Sequence, residues 1–173
     1  IIKSYFTKLK DPRTFIISGV DEPGEGEHKI FQYIRDNYVK HKIETTVIYG
    51  LDADLIVLCL NHLPVVHDIY LYRETPEFVK SINCELEPNA DYILNIAELA
   101  RGITAKMNGM VNANANASFH KSHQKNRLYD YILLTFFLGN DFMPHFPSMC
   151  IRTNGIDILE NAYKHLFGNT NKN

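Results

Sequence analysis

Five carboxylates stand out because each falls where a strand or helix begins or ends, the place where α/β sheets put their ligand sites. Glu25 and Glu27 lie in Glu22-Pro23-Gly24-Glu25-Gly26-Glu27-His28-Lys29, after an apolar run and at the start of a helical pattern. The glycines on either side of Glu25 suit a close approach of backbone to a ligand. Asp52 and Asp54 follow in Gly50-Leu51-Asp52-Ala53-Asp54-Leu55-Ile56, directly after a strand pattern and between apolar residues. Asp141 lies in Leu138-Gly139-Asn140-Asp141-Phe142-Met143-Pro144-His145, where an apolar helix pattern stops at a proline. Alone, each has an ordinary explanation. A glutamate pair favours a helix N-terminus, aspartates cap helices and make turns, and Asp141 suits a turn.

Together they suggest metal chemistry. Like charges repel by about 4 kcal/mol at 4 Å in an effective dielectric near 20, so five converging carboxylates would be strongly unfavourable or partly protonated without a cation. All-oxygen ligation suits Mg²⁺ or Mn²⁺. Several carboxylates can hold two such ions roughly 4 Å apart for phosphodiester cleavage.

The elements that must position these groups read as alternating strands and helices. Thr14 to Ser18 (TFIIS) is a short apolar, β-branched run, read as a buried strand. Ile30, Phe31, Ile34 and Tyr38 recur at helical spacing after Glu25, with Pro23 near the helix start. Thr45 to Tyr49 is a strand ended by Gly50, and Asp54 to Leu60 is apolar all round, so periodicity leaves it open as helix or strand. Asp68 to Arg73 and Tyr92 to Ile96 are further strands, the second leading into a short helix near Ala97 to Arg101. Leu128 to Leu138 reads as a helix stopped by Gly139, and Gly155 to Phe167 as an amphipathic helix. The pattern predicts an α/β domain with a largely parallel sheet covered on both faces. Gly102 to Asn126, with NANANA at 112 to 117, is expected to be a flexible insertion.

Composition narrows the class. At 173 residues and 45% hydrophobic content the chain suits one core, and a net charge of −2 gives no basic field to argue for nucleic acid. Cys59, Cys84 and Cys150 form no C-x-x-C pair and read as reduced core filler of an intracellular protein. The longest strongly apolar run, Leu55 to Leu60, is far too short to span a bilayer, so no membrane association is expected.

Three blocks resemble successive parts of the catalytic domain of the Xrn-type 5′-to-3′ exoribonucleases: PGEGEHKI at 23 to 30, YGLDADLIVL at 49 to 58 and FFLGNDFMPHFPS at 136 to 148. YLYRE at 70 to 74 and YILNIAELAR at 92 to 101 resemble the intervening strands. The resemblance implies a three-layer core like that of the flap-endonuclease and PIN-like nucleases, with a mostly parallel central sheet flanked by helices. It implies hydrolysis of RNA bearing a 5′ monophosphate to mononucleotides with two Mg²⁺ or Mn²⁺ ions. Carried over by motif, Glu25, Glu27, Asp52, Asp54 and Asp141 are the catalytic metal ligands. The family's N-terminal acidic pair and basic 5′-phosphate pocket have no counterpart here. Residues 1 to 173 are therefore expected to be an internal piece of one catalytic domain, lacking its N-terminal segment and incomplete for catalysis. The cytoplasm is the expected location, with the nucleus as the alternative. The rival readings are a structure-specific flap endonuclease and a catalytically inactive remnant that binds RNA or protein.

Other residues have plainer readings. His28 and Lys29 suit a solvated helix surface, His145 a tight turn, and His120, Lys121, His123, Lys125 and Arg127 a charged loop. Tyr129, Tyr131, Phe136 and Phe137 are spaced like helix core and not like base-stacking platforms.

Overall fold

The computed structural model describes residues 5–6, 13–74, 84–88, 90–108, 122–141 and 143–167. Helix α1 (Gly26–Asp36) turns Phe31 and Ile34 into the core, while Ile30 and the later Tyr38 stay exposed. Glu27 in its first turn and Arg35 in its last match the helix dipole. A single turn, α2 (Tyr38–His41), leads to strand β1 (Thr45–Tyr49).

The segment that periodicity left open is helix α3 (Asp54–His62), which buries Leu55, Cys59 and Leu60. It connects β1 to strand β2 (Asp68–Glu74), and the two strands pair in parallel from Thr45↔Asp68 to Tyr49↔Tyr72. Strand β3 (Asp91–Asn95) pairs antiparallel with β2. The sheet order is β1-β2-β3, so one pairing of two is parallel and the described sheet is mixed. An antiparallel strand at the edge of an α/β sheet is a common arrangement.

Helix α4 (Ile96–Met107) starts at Asn95, whose side chain accepts the Glu98 N–H. It runs well past the expected end at Arg101, because Thr104 and Met107 continue the buried stripe of Ile96 and Ala100. Gly102 does not stop it, since a glycine within a helix costs only about 1 kcal/mol against alanine and the buried stripe outweighs that. Of the expected insertion at 102–126, both ends are helical, since α4 runs to Met107 and helix α5 (Ser122–Phe136) begins within it, and 109–121 lies outside the described residues. A 3₁₀ turn (Ile151–Thr153) and helix α6 (Gly155–Phe167) follow.

The core gathers Phe31, Ile34, Ile48, Leu55, Leu60, Ile69, Leu71, Ile96, Leu128 and Ile132. Helices α3 and α4 pack on β2, and α5 packs on both helices. Thr46 and Ile48 point into this core, while Val47 and Tyr49 on the other face of β1 are each 56% exposed and Ile93 on β3 is 60% exposed. Among the described residues the helices therefore stand on one face of the sheet.

Two expectations fail locally. Thr14–Ser18 is not a strand: it runs as irregular chain, with Phe15 and Ile16 exposed. An apolar run becomes a strand only when a neighbour takes up its backbone groups, and no strand of the described sheet pairs with it. Of the three cysteines read as core filler, Cys59 is buried and its thiol is pushed up to about 12, but Cys84 is exposed and Cys150 half-buried.

Candidate metal centre

The first acidic pair is set by the turn before α1. Glu25 occupies the N-cap position in extended geometry, and its carbonyl accepts the Lys29 N–H at 3.0 Å. Gly24 has φ +99°, a conformation that suits glycine, whereas nothing lies near a Cβ added at Gly26. Only one of the two flanking glycines is thus required by geometry. Lys29 Nζ donates to the Gly19 carbonyl at 3.0 Å and the Glu22 carbonyl at 2.6 Å, so it fastens the turn instead of standing free in solvent.

The second pair leaves the sheet at the end of β1. Gly50 lies so close to Leu55 that a Cβ would meet its side chain at 2.3 Å. Asp52 Oδ1 accepts the Asp54 N–H at 3.2 Å, which closes the turn into α3, whose N-cap position is Ala53. Of the two ordinary explanations for Asp52, the turn holds and the helix cap does not, and its second oxygen has no part in the turn.

Asp141 sits in a turn closed by the Asn140 side chain, which accepts the Met143 N–H at 2.8 Å, and by the Asn140 N–H to Met143 carbonyl bond at 2.9 Å. Gly139 has φ +83°, and a Cβ there would meet the His145 backbone N at 2.7 Å. His145 satisfies a backbone group as expected, with Nδ1 3.0 Å from the Phe146 carbonyl.

All five carboxylates line one cleft of about 620 Å³. Their fields reach one another. Burial, then the charges of Asp52, Asp54 and Glu25, push the Glu27 carboxyl above its ordinary value, while His28 opposes this. Burial, then Asp52 and Asp141, do the same to Asp54. Among the described residues, no three His, Cys, Asp or Glu side chains stand close enough together to hold one ion. The acids share a cleft without forming a closed coordination shell.

The sequence comparisons bear on this cleft. The family described as XRN 5'-3' exonuclease N-terminus matches residues 3–75, and the family described as Xrn1 helical domain matches residues 121–173. The chain is 34% identical to the 5'-3' exoribonuclease 2 of Aspergillus oryzae, over 83% of this chain and 16% of that protein. It is 35% identical to the 5'-3' exoribonuclease 1 of Schizosaccharomyces pombe, over 86% of this chain and 11% of that protein. It is 33% identical to the 5'-3' exoribonuclease 2 of Kluyveromyces lactis, over 90% of this chain and 17% of that protein. The chain belongs to the Xrn-type 5′-to-3′ exoribonuclease family. It spans 11% to 17% of the length of these Xrn-type relatives.

In this Xrn-type chain the cleft is built across both matched regions. Glu25, Glu27, Asp52 and Asp54 come from the first and Asp141 from the second. The donor set fits a hard divalent cation, since it is all carboxylate oxygen and is held in mutual repulsion. The rest of the lining is largely apolar, with Ile56, Val57, Tyr131, Phe136, Leu138 and Ile156. Of the aromatics expected as helix core, Tyr131 is half-buried, but Tyr129 and Phe136 of α5 and Phe137 just beyond it are exposed, because α5 is covered along a narrower stripe through Leu128 and Ile132.

Arg127 is also reassigned. It is buried, not part of a charged loop, with Nε donating to Asn108 at 3.1 Å and the guanidinium also bonding Tyr163 and the Phe167 carbonyl. Reasoning on the sequence missed Asn140, although an asparagine beside glycine is a turn signal. It also missed the buried Glu160, paired with Lys106 at 2.5 Å, for which no sequence signal existed. No helix among the described residues is long and apolar enough to cross a membrane.

Proposed function

We propose that this chain supplies the metal-binding cleft of a 5′-to-3′ exoribonuclease that hydrolyses 5′-monophosphorylated RNA to mononucleotides. The observation that carries the reading is the meeting of five carboxylates, from three separate segments of an Xrn-type chain, in one cleft. Glu25, Glu27, Asp52, Asp54 and Asp141 hold Mg²⁺ or Mn²⁺, in a two-ion arrangement. When bound, such ions supply an activated water and stabilise the leaving oxygen.

The chain's own residues prepare that chemistry. The raised carboxyls of Glu27 and Asp54 make cation uptake compete with protons, so affinity falls with falling pH. The apolar lining lowers the dielectric around the acids and strengthens their hold on a cation. In the whole protein we place this piece in a three-layer, mostly parallel PIN-like core. The unpaired outer edge of β1 among the described strands and the exposed Val47, Tyr49 and Ile93 support that reading, since each is surface that a further strand or helix layer would cover. The cytoplasm is the proposed location, with the nucleus as the alternative.

Titration of the full chain with Mn²⁺ by calorimetry tests the site. Asp52→Ala and Asp54→Ala are each expected to weaken binding at least about tenfold, as loss of a charged ligand should; unchanged affinity in both sinks the reading. Incubation of the chain and the family's N-terminal segment, supplied in trans, with 5′-phosphorylated single-stranded RNA and Mg²⁺ tests the reaction by release of mononucleotides. Preferred cutting of branched DNA, or binding of RNA with no release, points instead to the flap-endonuclease or inactive-remnant alternatives.

A further inference from the structure

Beyond Gly50, which approaches the buried Leu55, packing holds little of the turn that presents Asp52 and Asp54: Leu51, Asp52 and Ala53 are all exposed. Hydrogen bonds must fix it. One is the Gly50 N–H to the Tyr72 carbonyl at 3.2 Å, which extends the β1–β2 ladder by a step beyond the last strand pair, Tyr49↔Tyr72. Another is the Asp54 N–H to Asp52 Oδ1, which fixes the far side of the turn to α3. Between them stands Leu51, whose side chain faces solvent and whose carbonyl accepts from Arg73 at 2.5 Å.

We propose that Arg73, near the end of β2, is a positioning residue for the metal cleft: it pins the Leu51 carbonyl and so sets the direction in which Asp52 and Asp54 leave the sheet. Resting on the metal-site reading above, the assignment adds a residue that does not line the cleft. The chemistry of the side chain suits the task. Arginine stays charged at every working pH, and its planar fork commits one N–H to the carbonyl without losing its other donors. A charged donor also makes a stronger hydrogen bond than a neutral one, which matters at an exposed peptide that water would otherwise compete for.

The test uses the full chain with Arg73→Gln and Arg73→Lys, reading Mn²⁺ affinity by calorimetry, amide hydrogen exchange without metal, and thermal melting. Arg73→Gln is expected to weaken Mn²⁺ binding about 10- to 100-fold, the usual range for losing a group that orients a ligand. The Gly50 and Asp54 amides should exchange faster, while those of Ile69 and Leu71 in the core and the melting temperature stay close to wild type. Arg73→Lys should restore most of the affinity, because a lysine ammonium can still donate to the Leu51 carbonyl. Wild-type affinity and wild-type Gly50 and Asp54 exchange in Arg73→Gln overturn the proposal, as does a loss of affinity that comes only with faster exchange throughout the core. If the unsubstituted chain takes up no Mn²⁺, the metal-site reading fails, and exchange at Gly50 and Asp54 alone decides whether Arg73 holds the turn.

Discussion

Two glycines show how far one residue type can differ in consequence. Gly139 combines φ +83° with a backbone nitrogen 2.7 Å from any added Cβ, so alanine is both strained and obstructed there. Gly139→Ala should cost ~2 kcal/mol or more and lower the melting temperature by roughly 4–8 °C. Gly102 stands inside α4 with open space around it. Gly102→Ala should therefore stabilise the chain by about 0.5–1 kcal/mol through helix propensity. Denaturant midpoints of the two variants check both signs, and equal shifts would mean that the Gly139 turn is not held as described. The acids were legible as residues because their types clustered at element ends. Their unequal environments were not, since the raised carboxyls of Glu27 and Asp54 depend on burial and on neighbours distant in the chain.

Elements are joined by polar contacts that the sequence does not advertise. His62, buried at the end of α3, accepts from Arg35 of α1 at Nε2, 2.8 Å away, and donates from Nδ1 to the Leu58 carbonyl at 2.7 Å. Burial holds its imidazole below the ordinary value; the Leu58 bond works against this, and the Arg35 charge adds to it. In the unfolded chain His62 takes a proton near pH 6.5, about the usual histidine value, whereas the folded chain resists it. Stability is therefore full above that pH and declines as pH falls towards the lower folded value. Urea unfolding from pH 7.5 to 5 should show this decline, and His62→Gln should flatten it; identical slopes would remove His62 as the cause. The same scale shows what sequence periodicity can reach. β1 and β2 follow their patterns closely, because each buries one face of its own, whereas periodicity left α3 open and α6 keeps Ile158 and Leu166 exposed while burying Glu160. Thr14–Ser18 has the composition of a strand and lacks the partner, which no local pattern supplies.

Among the described residues, the sheet has one face in the core and the other exposed at Val47, Tyr49 and Ile93. Leu71→Ala on the inner face should cost about 2–5 kcal/mol, while Val47→Thr on the outer face should stay within about 0.5 kcal/mol. Chemical denaturation of both variants measures the asymmetry, and comparable losses would mean that the outer face is covered. The chain's path through the acid cleft has its own consequence. Four of the carboxylates precede residues 109–121 and the fifth follows them, while Leu128 and Ile132 of α5 join the same core as Phe31 and Leu55. A backbone cut within 109–121 thus separates the acids into two polypeptides without removing any of them. The two pieces should reassociate through α5, and a divalent ion gripped from both sides would act as the clasp, making chelator-sensitive complementation of the severed chain a direct sign of a shared ion.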